Sequence, residues 1–196
     1  ILGAGAGNDA AGALRQGAAH VDAVEIDPGI YDIGREFHPE QPYRDPIVNV
    51  IIDDARAYLD QTARTYDIVS VGLLDAHTLS SSYNNTRIDH YVYTRESFGR
   101  MRDRLKPDGV LTVAFEARRP WIRQRLYDLL QQVFGHAPEV LAYRHGQYGF
   151  GGTMFVVGRN EAAVRDAIAA DPRLREFMTL FGARMQPLPE PVKPTT

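Results

Sequence analysis

The chain contains no cysteine. Disulfides, thiolate metal sites and a cysteine nucleophile are therefore excluded, and a reducing, cytoplasmic setting is the expected one. No uninterrupted apolar run reaches the roughly 18 residues that a membrane-spanning helix needs, so no segment of this sequence is expected to cross a bilayer. A block of Lys and Arg is missing as well. The 22 basic residues are outnumbered by 25 acidic ones, and the net charge of −3 argues against nucleic acid as a partner, because phosphate binding needs clustered cations. His20, His38, His136 and His145 are scattered without ligand spacing, so no metal is expected. What the chain does have is 44% hydrophobic residues over 196 positions, enough for one domain with a core.

Five residues carry the strongest signal. Gly3-Ala4-Gly5-Ala6-Gly7 follows the apolar pair Ile1-Leu2, and the run Val24-Glu25-Ile26-Asp27 follows later with Glu25 closing its apolar part. A strand, a glycine turn, a helix and a second strand ending in an acid make the first unit of a nucleotide-binding α/β sheet. The glycines allow a tight turn and close approach of a ligand, and a carboxylate about 20 residues on can accept from two ribose hydroxyls. A dinucleotide fingerprint would place its third glycine at position 8, where this chain has Asn8. The G-x-G-x-G spacing favours a nucleoside ligand without a pyrophosphate, such as S-adenosylmethionine. Only Ile1 and Leu2 precede the turn, whereas an ordinary strand has about 5–6 residues. The chain therefore reads as a fragment with its first strand truncated, and its parent could be membrane-attached.

Further along, helix and strand signals alternate. Helices are expected at 8–16, ended by Gly17, at 29–37 between Pro28 and His38-Pro39, at 55–63, at 94–105 and at 120–134. Strands are expected at 21–25, 48–52, 66–71 and 110–115, the last one fed by a turn at Lys106-Pro107-Asp108-Gly109. Two late strands, 140–143 and 153–157, suggest an antiparallel hairpin, and Asn160 and Asp171-Pro172 cap two more helices. The polar stretch 72–90 has no clean period, and the Pro-rich tail 187–196 is expected to be disordered. The fold expected is α/β: a Rossmann-like, doubly wound sheet, mostly parallel with a C-terminal antiparallel strand, in one domain over residues 1–186. In such sheets ligands bind at the carboxyl ends of the strands. Gly3, Gly5, Gly7, Glu25, Asp54 and the segment 72–75 all fall there.

Leu2-Gly3-Ala4-Gly5-Ala6-Gly7-Asn8, Val24-Glu25-Ile26-Asp27-Pro28, Asp53-Asp54-Ala55, Tyr66-Asp67-Ile68-Val69 and Leu105-Lys106-Pro107-Asp108-Gly109-Val110-Leu111 resemble, in this order, the class I S-adenosylmethionine-dependent fold and within it the spermidine synthase-like branch. The resemblance implies that Glu25 holds the ribose hydroxyls and Ile26 lies on the adenine. Asp54 would accept from the adenine amino group, and the backbone of Ala55 would face the ring edge. Gly3, Gly5 and Gly7 would pass the methionine-derived part of S-adenosylmethionine or its decarboxylated form. Spermidine synthases carry two aspartates after the strand equivalent to 66–71, both binding the cationic amine, the first helping to deprotonate it. Here those positions hold Gly72 and Asp75. Asp75 is thus the expected catalytic residue, the chief carboxylate of the acceptor site, and standard spermidine synthesis from putrescine is expected to be weak or missing.

Asp75 and His77 read either as a base with its orienting partner or as a helix cap and a loop hydrogen bond. Tyr91 reads either as part of a lid over the acceptor or as a residue packed on the sheet. Asp53 reads as a solvated turn residue. The function expected is transfer of an aminopropyl or methyl group to a small-molecule acceptor, an amine among the candidates, with a homodimer left open. An ordinary methyltransferase and a non-catalytic sensing domain of a larger membrane protein are the rivals.

Overall fold

A computed structural model describes residues 1–72, 92–115, 120–143 and 152–182. Its first helix, α1 (Asn8–Arg15), is Ala-rich, carries Asp9 in its first turn and Arg15 in its last, and so complements the helix dipole at both ends. β1 (Val21–Glu25) is buried along its whole length. α2 (Pro28–Phe37) starts with proline in its first turn and with the Asp27 side chain accepting from Gly29 N. A short 3-10 helix at Pro42–Arg44, which the sequence reading did not foresee, leads into β2 (Val48–Ile52). α3 (Ala55–Gln61) is capped by Asp54 and ends two residues earlier than expected, where Thr62 turns extended. β3 (Tyr66–Val71) precedes α4 (Arg95–Asp103), capped by Thr94.

One boundary differs from expectation for a clear reason. Leu105 closes no helix; it opens β4 (Leu105–Phe115) by pairing with Tyr66. The register then slips before Ile68 pairs with Val110, so the exposed Lys106, Pro107 and Asp108 bulge out of the strand where a separate turn was expected. α5 (Pro120–Phe134), β5 (Glu139–Tyr143), β6 (Gly152–Gly158), α6 (Glu161–Ala170) and α7 (Pro172–Phe181) complete the order, with Asn160 and Asp171 capping the last two helices. The tail 187–196 lies outside the described residues.

β1 and β2 pair in parallel, as do β3 and β4, while β6 is antiparallel to both β4 and β5. Leu2 bridges Val24 on one side and Val71 on the other, both in parallel. The sheet thus runs β2–β1–Leu2–β3–β4–β6–β5, and its order reverses at Leu2. Alternate residues of β1 serve opposite faces. Val24 packs in one cluster with Leu59 of α3, Phe98 and Met101 of α4 and Leu130 of α5; Val21 and Ala23 pack in another with Ala10 of α1 and Tyr43. Tyr93 packs edge-on against Phe115 in the larger cluster.

A polar knot sits toward the amino end of the sheet. The buried Asp22 accepts from Asn49 on Oδ1 (2.9 Å) and from the hydroxyls of Tyr66 (2.7 Å) and Tyr58 (3.1 Å) on Oδ2, with a His20 ring nitrogen 3.0 Å from Oδ1. Burial alone would raise this carboxyl. The hydrogen bonds from Asn49, Tyr66, His20 and Tyr58 outweigh it and bring the group down to about 2.

Candidate active site

Gly3, Gly5 and Gly7 all have left-handed backbones, with φ of 70°, 56° and 103°. Side chains at these positions would be strained, so the loop depends on glycine. Its approach to α2 depends on glycine too: a β-carbon at Gly34 would meet the Ala6 carbonyl oxygen at 2.4 Å.

Glu25 organises the loop from the carboxyl end of β1. Its Oε2 accepts from Gly5 N (2.7 Å) and its Oε1 from Asp27 N (2.9 Å), and the residue is only 6% exposed. A carboxylate this deep needs such partners, because an unpaired buried charge is costly. The neighbouring strand end is tied in as well, since Asp53 N donates to the Glu25 carbonyl (3.1 Å). Asp53 itself accepts from Asp54 N (2.8 Å), the local turn role expected of it. Asp54 accepts from Arg56 N and Ala57 N, both at 2.9 Å and both on Oδ1, so it is the N-cap of α3. Ala55 is buried behind it, while Ile26 and Ile52 leave apolar surface exposed at the same edge.

Two features here were not legible from spacing. The Tyr43 hydroxyl reaches the carbonyl oxygens of Gly5 (2.7 Å) and Ala4 (3.1 Å) from below the loop. Asp9 places its Oδ2 3.3 Å from the point a β-carbon on Gly72 would occupy. Gly72 N in turn donates to the Leu2 carbonyl (3.2 Å), which sets the end of β3 beside the glycine loop. Burial raises the Asp9 carboxyl. The structure therefore brings Gly3, Gly5, Gly7, Glu25, Asp53, Asp54 and Gly72 to one edge. Asp75, His77 and Tyr91 lie outside the described residues. Among the described residues no group of three or more His, Asp or Glu side chains converges as metal ligands would, and no helix is long and apolar enough to cross a membrane.

This fold is that of the class I S-adenosylmethionine-dependent transferases. It matches the crystal structure of spermidine synthase from Thermotoga maritima with a TM-score of 0.67 and 18% identity, over 95% of this chain and 60% of that one. It also matches human methyltransferase-like protein 13, solved in complex with SAH, with a TM-score of 0.60 and 18% identity, over 89% of this chain and 80% of that one. Within the class, residues 1–165 match the spermine/spermidine synthase domain, and the chain belongs to that family. A polyamine aminopropyltransferase of Pyrobaculum calidifontis is 29% identical over 183 residues, covering 89% of this chain. The chain spans 61% of that relative's length.

Proposed function

We propose that this chain is the transferase domain of an aminopropyltransferase-like enzyme, binding S-adenosylmethionine or its decarboxylated form and acting on a small amine. On this reading the sheet is the doubly wound, Rossmann-like one, with Leu2 in the place of its central strand. The observation that carries the proposal is Glu25: a buried carboxylate at the switch point, held by the backbone N–H of Gly5 and of Asp27. Each oxygen has one such bond and retains lone-pair capacity for a ribose hydroxyl. Aminopropyl transfer is favoured over methyl transfer by the aminopropyltransferase relatives.

The residues present fit an adenosyl ligand. A β-carbon on Gly5 would meet nothing within 4 Å, so the loop can be approached closely on that side. Ile26, 49% exposed, offers an apolar surface for a purine, and Asp54, bonded through Oδ1, leaves Oδ2 for an exocyclic amine. Ala55 is assigned to the ring edge, and Gly3, Gly5 and Gly7 to the methionine-derived part. When bound, the ligand supplies a carbon activated by its sulfonium, so that a C–N bond forms as the C–S bond breaks and the electron pair goes to sulfur. The chain's own part is to position and to handle charge. Asp75 is assigned to attract the cationic amine and take its proton, with His77 and Tyr91 beside the acceptor.

Calorimetry with S-adenosylmethionine, its decarboxylated form and NAD tests the binding half. Adenosyl-sulfur ligands are expected to bind and Glu25→Ala to weaken them by about tenfold or more, from loss of charge-assisted bonds. Tight NAD binding with no adenosyl-sulfur binding would overturn the reading. Product formation from the decarboxylated ligand with putrescine and a panel of amines tests the transfer half. Asp75→Asn should lose most of the rate while still binding the ligand; an unchanged rate removes Asp75 from the mechanism, and no turnover with any acceptor points to a sensing domain.

A further inference from the structure

Gln41 is the one non-glycine residue with a left-handed backbone among those described, at φ 47°. Such strain persists only where the surroundings impose it. Here it turns the chain into the Pro42–Arg44 helix and brings Pro42 and Tyr43 under the glycine loop. The fit is close, for a β-carbon at Gly7 would lie 2.8 Å from the Pro42 ring and 3.4 Å from the Tyr43 ring. Tyr31 of α2 packs on the Tyr43 ring at 5.2 Å between centroids, which fixes the phenol's direction.

We propose that Tyr43 is a positioning residue for the adenosyl ligand, setting the glycine loop through its hydroxyl's hydrogen bonds to the carbonyl oxygens of Gly5 and Ala4. The inference rests on the reading of this edge as the adenosyl site. Gly5 is then held from both directions: its N–H by Glu25, its carbonyl by Tyr43. Those contacts leave its β-carbon direction as the open side, so the loop meets a ligand with its backbone already fixed. Burial and the nearby carboxylates of Glu25 and Asp9 raise the phenol above its ordinary value, so it stays a donor across the working pH range. On that reading the methionine-derived chain meets the loop directly, while the ribose and base meet Glu25 and Ile26.

That distinction gives the test. Tyr43→Phe keeps the ring and removes only the hydroxyl. On the full chain, calorimetry with S-adenosylmethionine, 5′-methylthioadenosine and adenosine should show Kd rising about fivefold or more for the first, the scale of one buried hydrogen bond, and little for adenosine. Tyr58→Phe, which removes a half-buried hydroxyl bonded to Asp22 at the opposite edge, should lower thermal stability without changing any Kd. Equal Kd values for Tyr43→Phe and the unaltered chain overturn the assignment while leaving the site reading intact. An equal loss for all three ligands shows general loosening and overturns it too. Silence of the unaltered chain toward every adenosyl ligand overturns the site reading and this assignment together.

Discussion

Asp9 and Gly72 face one another across the end of the glycine loop, with the Asp9 Oδ2 3.3 Å from where a β-carbon on residue 72 would stand. The Gly3 carbonyl oxygen lies 3.1 Å from the same point. Position 72, which the sequence resemblance matches to the first acceptor aspartate of the family, is therefore crowded here by a carboxylate from α1. Gly72→Asp would press two acids together and strain the loop. Chemical denaturation should show it less stable by about 1–3 kcal/mol, the range of overpacked sites. Adding Asp9→Asn removes one of the two charges and should return at least half of the loss. A Gly72→Asp chain as stable as the unaltered one would refute the crowding.

Asp54 caps α3, and its assignment to the adenine is separable from that cap. Asp54→Ser retains a capping oxygen and removes the carboxylate, whereas Asp54→Ala removes both. Asp54→Ala should cost about 1 kcal/mol of stability and Asp54→Ser much less. Ligand affinity should fall in both variants if the carboxylate touches the adenine. Should Asp54→Ser bind as well as the unaltered chain, the residue is a cap alone.

Asp22 makes the chain sensitive to acid. Its carboxyl titrates near 2 in the folded chain, below the roughly 3.9 of an unfolded one. A depressed carboxylate stabilises above the unfolded value and loses that contribution as pH falls through the folded value. The contribution, about 2–3 kcal/mol, should thus be complete above about pH 4 and fade toward pH 2. Urea melts at stepped pH on Asp22→Asn should show lower stability at pH 7 and a flatter response between pH 4 and 2. A variant that keeps the full acid slope would move the effect to other carboxyls.

What sequence reading recovered is local. Helix starts at Pro28, Asn160 and Asp171 rest on a side chain and its own next turn, and Glu25 stood out because its distance from the glycines is fixed by one helix. What it missed is held by distant pairs. Leu105 becomes a strand residue only because Tyr66 lies beside it. Tyr43 looks like any core tyrosine until the left-handed Gln41 swings it beneath residues 38 and 39 positions away. Asp22, Asn49, Tyr58 and Tyr66 show no shared spacing, since three strands and a helix bring them together. Asp54 was legible as an acid at a strand end, but its capping bonds appear only once α3 is in place.

The place of β4 has a consequence for how the sheet opens. It pairs in parallel with β3 on one side and antiparallel with β6 on the other, so its amides sit between two full ladders. β5 has a ladder with β6 alone among the described residues. Amides of β4 therefore exchange with solvent only when a ladder parts, whereas those of β5 exchange at a lower free energy, and protection in this part of the sheet falls from β4 toward the β5 edge.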